Sequence, residues 1–163
     1  MKAIVYTSKA GHTKKYAEIL SEKIRIPSME LKDAKKKLNK QDDIIYLGWL
    51  LASKVKGLSE ADNQFNIKAI CGVGMSFPNE KILTDIKVAN TLSDERPLFY
   101  LQGGFDREKA GFFMNQMIKM VIRQLEKKTD RSEEDENTLR AMKDNKDFVN
   151  EENLTAIVTW YQL

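Results

Sequence analysis

The chain has 163 residues, 42% hydrophobic and 31% charged, with 27 Lys and Arg against 24 Asp and Glu for a net charge of +3. That length suits one domain spanning residues 1–163, able to bury a core without covalent staples. One cysteine, Cys71, excludes a disulfide framework and a Cys-based zinc site, and one histidine, His12, excludes a His-rich metal site. A charge of +3 is too small to argue for nucleic acid. No apolar run reaches the length of about 18 residues that crosses a bilayer as a helix. The start, Met1-Lys2-Ala3-Ile4-Val5-Tyr6, has no apolar signal segment. A soluble, cytoplasmic protein is the expectation.

In chain order, residues 3–6 form a short apolar run, followed at 13–24 by Tyr16, Ala17, Leu20 and Ile24 at helical spacing. A weaker strand candidate lies at 28–31. Residues 44–47 and 67–73 are near-continuous Ile/Val/Leu/Tyr runs, as expected of strands buried on both faces. Between the second of these and a last strand at 98–101, residues 79–91 carry Ile82, Ile86 and Ala89 on one helical stripe. Residues 112–125 read as a helix with Phe113, Met117, Met120, Val121 and Leu125 as its apolar set. Ser132-Glu133-Glu134-Asp135 reads as a capping box opening a further helix toward Met142. Val158, Trp160 and Tyr161 are expected to dock a terminal helix on the sheet. The alternation of strand and helix predicts an α/β fold, a doubly wound sheet of five parallel strands with helices on both faces. Ligands of such sheets bind beyond the carboxyl ends of the strands.

Three segments therefore carry the candidate site. Thr7-Ser8-Lys9-Ala10-Gly11-His12-Thr13 joins a buried strand to a helix N-terminus, where free amide groups and the helix dipole favour an anion. Ser8 and Thr13 offer hydroxyls, Lys9 a positive charge, and Gly11 close approach. The alternative is a plain turn with Thr13 as a cap. The segment is neither a Walker A loop nor G-x-G-x-x-G, which disfavours nucleoside triphosphates and dinucleotides. Gly48-Trp49-Leu50-Leu51-Ala52-Ser53 is unusually apolar for a loop, and its Trp49 either lids a flat ligand or belongs to the core. Gly74-Met75-Ser76-Phe77-Pro78 is again small and apolar. Together they suggest a slot with one polar end, suited to a flat ring bearing a phosphate tail.

The strand followed by Ser8-x-Ala10-Gly11-His12-Thr13 resembles the phosphate loop of flavodoxins, usually Ser/Thr-x-Thr-Gly-x-Thr, with Ala10 in place of a Thr. Phe99-Tyr100-Leu101-Gln102-Gly103-Gly104-Phe105-Asp106, then Phe113-Met114 and Met117-Ile118-Lys119-Met120, is similar to the branch related to bacterial FMN-dependent protoporphyrinogen IX dehydrogenase. Lys128-Thr129-Asp130 and Phe148-Val149-Asn150 fit the same group. The resemblance implies a flavodoxin-like sheet of order 2-1-3-4-5 and a bound FMN. It implies that Ser8, Lys9, Ala10, Gly11, His12 and Thr13 hold the phosphate. Gly48, Trp49, Leu50, Leu51 and Ala52 would then cover one side of the ring, and Gly74, Met75, Ser76 and Phe77 the other. The redox chemistry is the cofactor's, so no catalytic acid, base or nucleophile is named.

Two features bear on partners. Residues 1–60 hold 13 Lys and Arg against 7 Asp and Glu, and Lys9, Lys14, Lys15, Lys54 and Lys56 fall in or near the cofactor segments. A positive rim attracts an anionic partner, whether porphyrinogen propionates or an acidic redox protein. This favours a substrate oxidoreductase over a carrier without a small-molecule substrate, without deciding between them. The helix 112–125 is apolar over more than one stripe. It is either packed on both sides or a peripheral contact with the inner face of the membrane that would suit delivery to a quinone. Cys71, in a buried run with no basic neighbour, reads as packing.

Overall fold

The computed structural model describes the backbone of residues 1–163; the side chains of Arg107, Lys109, Ala110, Phe113, Met114 and Glu134 lie outside the described residues. The strands are β1 Ala3–Thr7, β2 Ser28–Glu30, β3 Asp43–Leu51, β4 Lys54–Val55, β5 Asn66–Gly74 and β6 Leu98–Gln102. The helices are α1 His12–Ile24, α2 Leu31–Lys37, α3 Leu58–Asp62, α4 Glu80–Asn90, α5 Arg107–Lys127, α6 Glu133–Lys143 and α7 Thr155–Gln162. β2, β1, β3, β5 and β6 pair in that order, all parallel, while β4 turns back antiparallel on β3. Without the short β4, this is the expected order 2-1-3-4-5.

Side-chain alternation along the strands divides the core into two halves. Ile4, Tyr6, Ile45, Leu47, Ala69, Cys71 and Leu101 pack with α1 and with Leu154 and Ile157 near the C-terminus. Val158, Trp160 and Tyr161 pack partly buried against this half, as expected. On the other face Val5, Ile44, Tyr46, Ile67 and Ile70 meet Leu31 and Ala34 of α2, Leu58 and Ala61 of α3, and Ile86 of α4. Ile67 and Ile70 share this face because the register with β3 shifts between Ile44 and Ile45, which reverses the alternation. A third cluster lies beyond these two halves: Phe105, Ile118, Ala141 and Met142, with Trp49, Leu51 and Met75 against it. It holds the α5–α6 pair onto the residues that leave β3 and β5.

Several boundaries differ from the sequence reading. The supposed loop 48–53 is mostly strand: Gly48 to Leu51 continue β3, and only Ala52 and Ser53 turn back into β4. The run of large apolar residues there has strand propensity and finds a partner in Lys54–Val55. Gly74 ends β5 rather than starting a loop. Leu31 opens α2 and does not extend β2. Helix α1 starts at His12, with Gly11 at its N-cap in the left-handed region (φ 97°), so Thr13 is not the cap. Helix α5 runs past 112–125 at both ends and is broken at Gly111 (φ 76°, ψ 168°). Asn79 caps α4 through Ile82 N, and Ser132 with Asp135 makes the expected capping box on α6; the side chain of Glu134 is outside the described residues.

Candidate functional site

One cavity at the carboxyl edge of the sheet joins the first and third candidate segments to part of the second. Lys9, Ala10, His12 and Thr13 line one end, Trp49, Leu50, Gly74 and Met75 the other, and Val73, Gly103, Gly104, Asp106 and Ile118 complete it. Its volume is about 70 Å³. It is an apolar slot that opens onto the first turn of α1.

The polar end is shaped by backbone. At φ 97° Gly11 holds a conformation that side chains rarely adopt, and a Cβ there would meet no atom within 4 Å. The space before the helix is therefore open to a ligand. The Ser8 hydroxyl accepts from Lys14 N at 3.3 Å, which shapes the loop around that space. Ser8 itself borders a separate groove with Thr7, Lys32, Lys35 and Lys36. The first amides of any α-helix lack intrahelical acceptors, so this end favours an anion.

His12 is held inside the fold. It is 9% exposed, its Nε2 lies 3.7 Å from Asp147 Oδ1, and it packs against Gly103 and Gly104. A Cβ on Gly104 would stand 2.9 Å from His12 Nε2 and 2.6 Å from the Lys146 carbonyl. Asp147 also accepts from Lys15 Nζ at 2.5 Å. Although burial opposes ionisation, the Lys15 hydrogen bond, the Val149 amide and the neighbouring His12 keep its carboxyl below the usual range. The Tyr16 hydroxyl donates to the Gln102 carbonyl at 2.5 Å and accepts from Asn153 Nδ2 at 2.5 Å. Gly103 N donates to Gly74 O at 2.7 Å and Phe148 N to Gly103 O at 2.8 Å. Helix α1, β6 and the segment before α7 are thereby locked around the Gly-Gly turn.

The apolar end is set by the β3–β4 hairpin. Alternation sends Trp49 and Leu51 toward the α5–α6 pair and Leu50 toward Ile86 and Tyr100 on the opposite face. The half-buried Trp49 ring lies 5.4 Å from Lys9 Nζ and 5.9 Å from Lys56 Nζ. Lys56 N donates to Trp49 O at 3.0 Å, and the hydroxyls of Thr7 and Tyr46 both donate to Lys56 O, each at 2.7 Å. The absence of a side chain at Gly48 makes room for this arrangement; a Cβ there would meet Val55 at 2.5 Å and Lys56 O at 2.7 Å. Ala52 and Ser53 both sit at positive φ, 48° and 62°. Asn90 at the end of α4 braces this turn: its Oδ1 accepts from Val55 N at 2.9 Å and its Nδ2 donates to Ser53 O at 2.8 Å.

Of the other candidates, Ala52 lies on the outer side, in a second hollow with Ser76. The Ser76 carbonyl accepts from Tyr100, and Phe77 packs edge-on to Phe148 at 5.5 Å. Neither Ser76 nor Phe77 lines the slot. Sequence reasoning did not assign Gly103, Gly104, Asp106 and Ile118 to the site. The Gly-Gly pair directly after a buried strand was the available signal. Asn90 and Asp147 carried none, since both act from elements far away in the chain. On α5, Phe112 is 82% and Met120 53% exposed while Ile118 is buried, so this helix is not covered all round. Phe113 and Met114 lie outside the described residues. No described helix is long and apolar enough to cross a membrane, and no described cluster could hold a metal ion.

The family model of the flavodoxin domain matches residues 3–132. No curated protein matches the chain.

Proposed function

Because the chain belongs to the flavodoxin domain family, we propose that the cavity binds FMN and that the protein is an FMN-dependent redox protein. The supporting observation is that a helix N-terminus with an open glycine cradle and an apolar slot share one cavity. That pairing matches a ligand with a phosphate at one end and a flat ring at the other. Amides of the α1 first turn and Thr13 would hold the phosphate, with Lys9 adding charge. Trp49 and Met75 would enclose the ring. At about 70 Å³ the slot encloses only part of a tricycle, so the ring would extend to the open mouth where the Trp49 indole gives way. It is half-buried, and exposed cation–π contacts contribute only about 0.5–1 kcal/mol each. Ala10 offers no hydroxyl, so more of the phosphate contact falls to main-chain amides.

FMN, when bound, supplies reversible uptake of two electrons with their protons. The chain supplies position, exclusion of water by Ile118 and the α5–α6 pair, and a positive rim. We take the finer assignment to be an oxidoreductase of the protoporphyrinogen IX dehydrogenase type, with a quinone as electron acceptor; Lys9 and Lys56 at the slot mouth suit the propionates of such a substrate. FMN titration followed by flavin fluorescence tests the cofactor, on the wild type and on Gly11→Val. The wild type is expected to bind and the variant to lose binding while keeping its circular dichroism. A folded wild type that takes up no FMN overturns the reading. Turnover of protoporphyrinogen with a quinone tests the finer assignment, and no turnover by FMN-loaded protein at saturating substrate removes it.

A further inference from the structure

Across the carboxyl end of β5 from the slot lies a second hollow, of about 260 Å³. Leu50, Met75, Ile82, Ile86 and Tyr100 give it an apolar lining, with Ile86 fully buried. Every described residue that lines it is uncharged, in a chain of which 31% is charged. Two glycines of β5 let this lining settle on the sheet. A Cβ on Gly72 would stand 3.2 Å from Leu50 and 3.3 Å from Ile86, and one on Gly74 2.8 Å from Tyr100 and 3.0 Å from Leu50.

The walls of the hollow are held in place. Asn79 caps α4 by accepting from Ile82 N at 3.0 Å, and Asn90 fixes the hairpin turn by donating to Ser53 O at 2.8 Å. The Tyr100 hydroxyl donates to Ser76 O at 2.6 Å and so ties its ring to the segment after β5. The hydroxyls of Ser53 and Ser76, which also line the hollow, make no hydrogen bond among the described residues. The space is thus largely preformed and apolar, with a few polar groups at hand, which is the usual form of a small-molecule site.

We infer that this hollow is a second ligand site, for an uncharged flat molecule of about two fused rings bearing carbonyl oxygens, a naphthoquinone in chemical class. A dry cavity of about 150 Å³ holds benzene, so 260 Å³ admits a further ring. A charged ligand would be buried there without a partner, whereas the Ser53 and Ser76 hydroxyls can donate to carbonyl oxygens. Leu50, Gly74 and Met75 line both the hollow and the slot, so a single layer of residues divides them. The role of the occupant rests on the proposed function: it is the electron acceptor of the slot. Two electrons and two protons pass from the reduced cofactor to the two carbonyl oxygens, which become hydroxyls as the cofactor returns to its oxidised form. The site itself stands on the geometry.

The test uses the full-length protein with isotope-labelled isoleucine methyl groups, titrated with menadione and followed by NMR. Menadione is expected to move the Ile82 and Ile86 signals and to leave that of Ile118, in the slot, in place. 1,4-Naphthoquinone-2-sulfonate, the same ring system with a charge, is expected to leave all three in place. Ile82→Trp puts an indole into the hollow and is expected to bind menadione about tenfold more weakly with FMN uptake unchanged; thermal melts establish that it is folded. The inference is overturned if menadione moves neither Ile82 nor Ile86, or if it moves Ile118 as much as it moves them. It is likewise overturned if the sulfonate binds as well as menadione, or if a folded Ile82→Trp binds menadione as tightly as wild type. FMN titration of the same samples separates the two readings. Menadione in the hollow without FMN uptake removes the cofactor and the exchange and leaves the site; FMN uptake with no menadione signal removes the site and leaves the cofactor.

Discussion

Asn90→Ala removes the brace on the hairpin and tests how the site is held. Three hydrogen bonds go: Val55 N to Oδ1 at 2.9 Å, and Nδ2 to Ser53 O and Ile86 O, each at 2.8 Å. The Ile86 carbonyl belongs to the helix ladder and loses little. Val55 is 5% exposed, so its amide is left without an acceptor in a dry place. An unsatisfied buried donor costs about 1–3 kcal/mol and a lost hydrogen bond about 1 kcal/mol, so the variant should lose about 2–4 kcal/mol. At about 2–4 °C per kcal/mol for a chain of this size, the melting temperature should fall by roughly 5–15 °C. The strain has its own test. Two non-glycine residues in the left-handed region cost about 1–2 kcal/mol each, so Ala52→Asn/Ser53→Gly should raise stability by roughly that much. The assays are thermal and urea unfolding of the three proteins and their combination, with FMN titration alongside. Loss of the brace should not weaken FMN, because the Trp49 indole on the same hairpin is what gives way to the ring. An Asn90→Ala variant melting within 2 °C of wild type, together with no gain from Asn-Gly, would refute the reasoning (~1 kcal/mol resolution).

Burial, opposed by the Thr7 hydrogen bond, pushes the Tyr46 hydroxyl from 10.0 to about 12. Stability from its neutral form is then complete below the unfolded value and lost as pH rises through the folded one. Chemical unfolding between about pH 10 and 12 should therefore show a loss of roughly 2–3 kcal/mol that Tyr46→Phe lacks; equal alkaline loss in both proteins removes the idea. Cys71 is fully buried, and burial alone raises its thiol well above the ordinary value. Modification by a thiol reagent should run at the rate of global unfolding, measured in urea; rapid labelling of the native protein would contradict the packing assigned to it.

Much of the sheet is legible in the sequence because its strands are buried on both faces. Runs such as Ile44-Ile45-Tyr46-Leu47 have no polar alternation and no helical period, so only a central parallel strand accommodates them. Helices α2 and α3 were not legible. Each spans only two turns or fewer, and α2 shows a Lys-rich stretch with just Leu31 and Ala34 pointing inward. Their stability comes from the sheet they cover, which a local window does not contain.

The site divides along the same line. The helix end of the slot is local: Lys9, Ala10, His12 and Thr13 lie within one turn of a strand–helix junction, so a sequence window contains all of them. The apolar end is not local. Trp49 gains its place because Gly48 leaves room for Val55 and Lys56, and because Asn90, from the end of α4, holds the turn. Nothing near Trp49 in sequence distinguishes a strand residue from a loop lid. That choice is made by the partner strand, and only a two-residue turn under strain brings the partner back. The same hairpin that narrows the slot presents Lys56 to the Trp49 ring. A ligand that displaces the indole must therefore also release an ammonium group, which couples the opening of the slot to the charge at its rim.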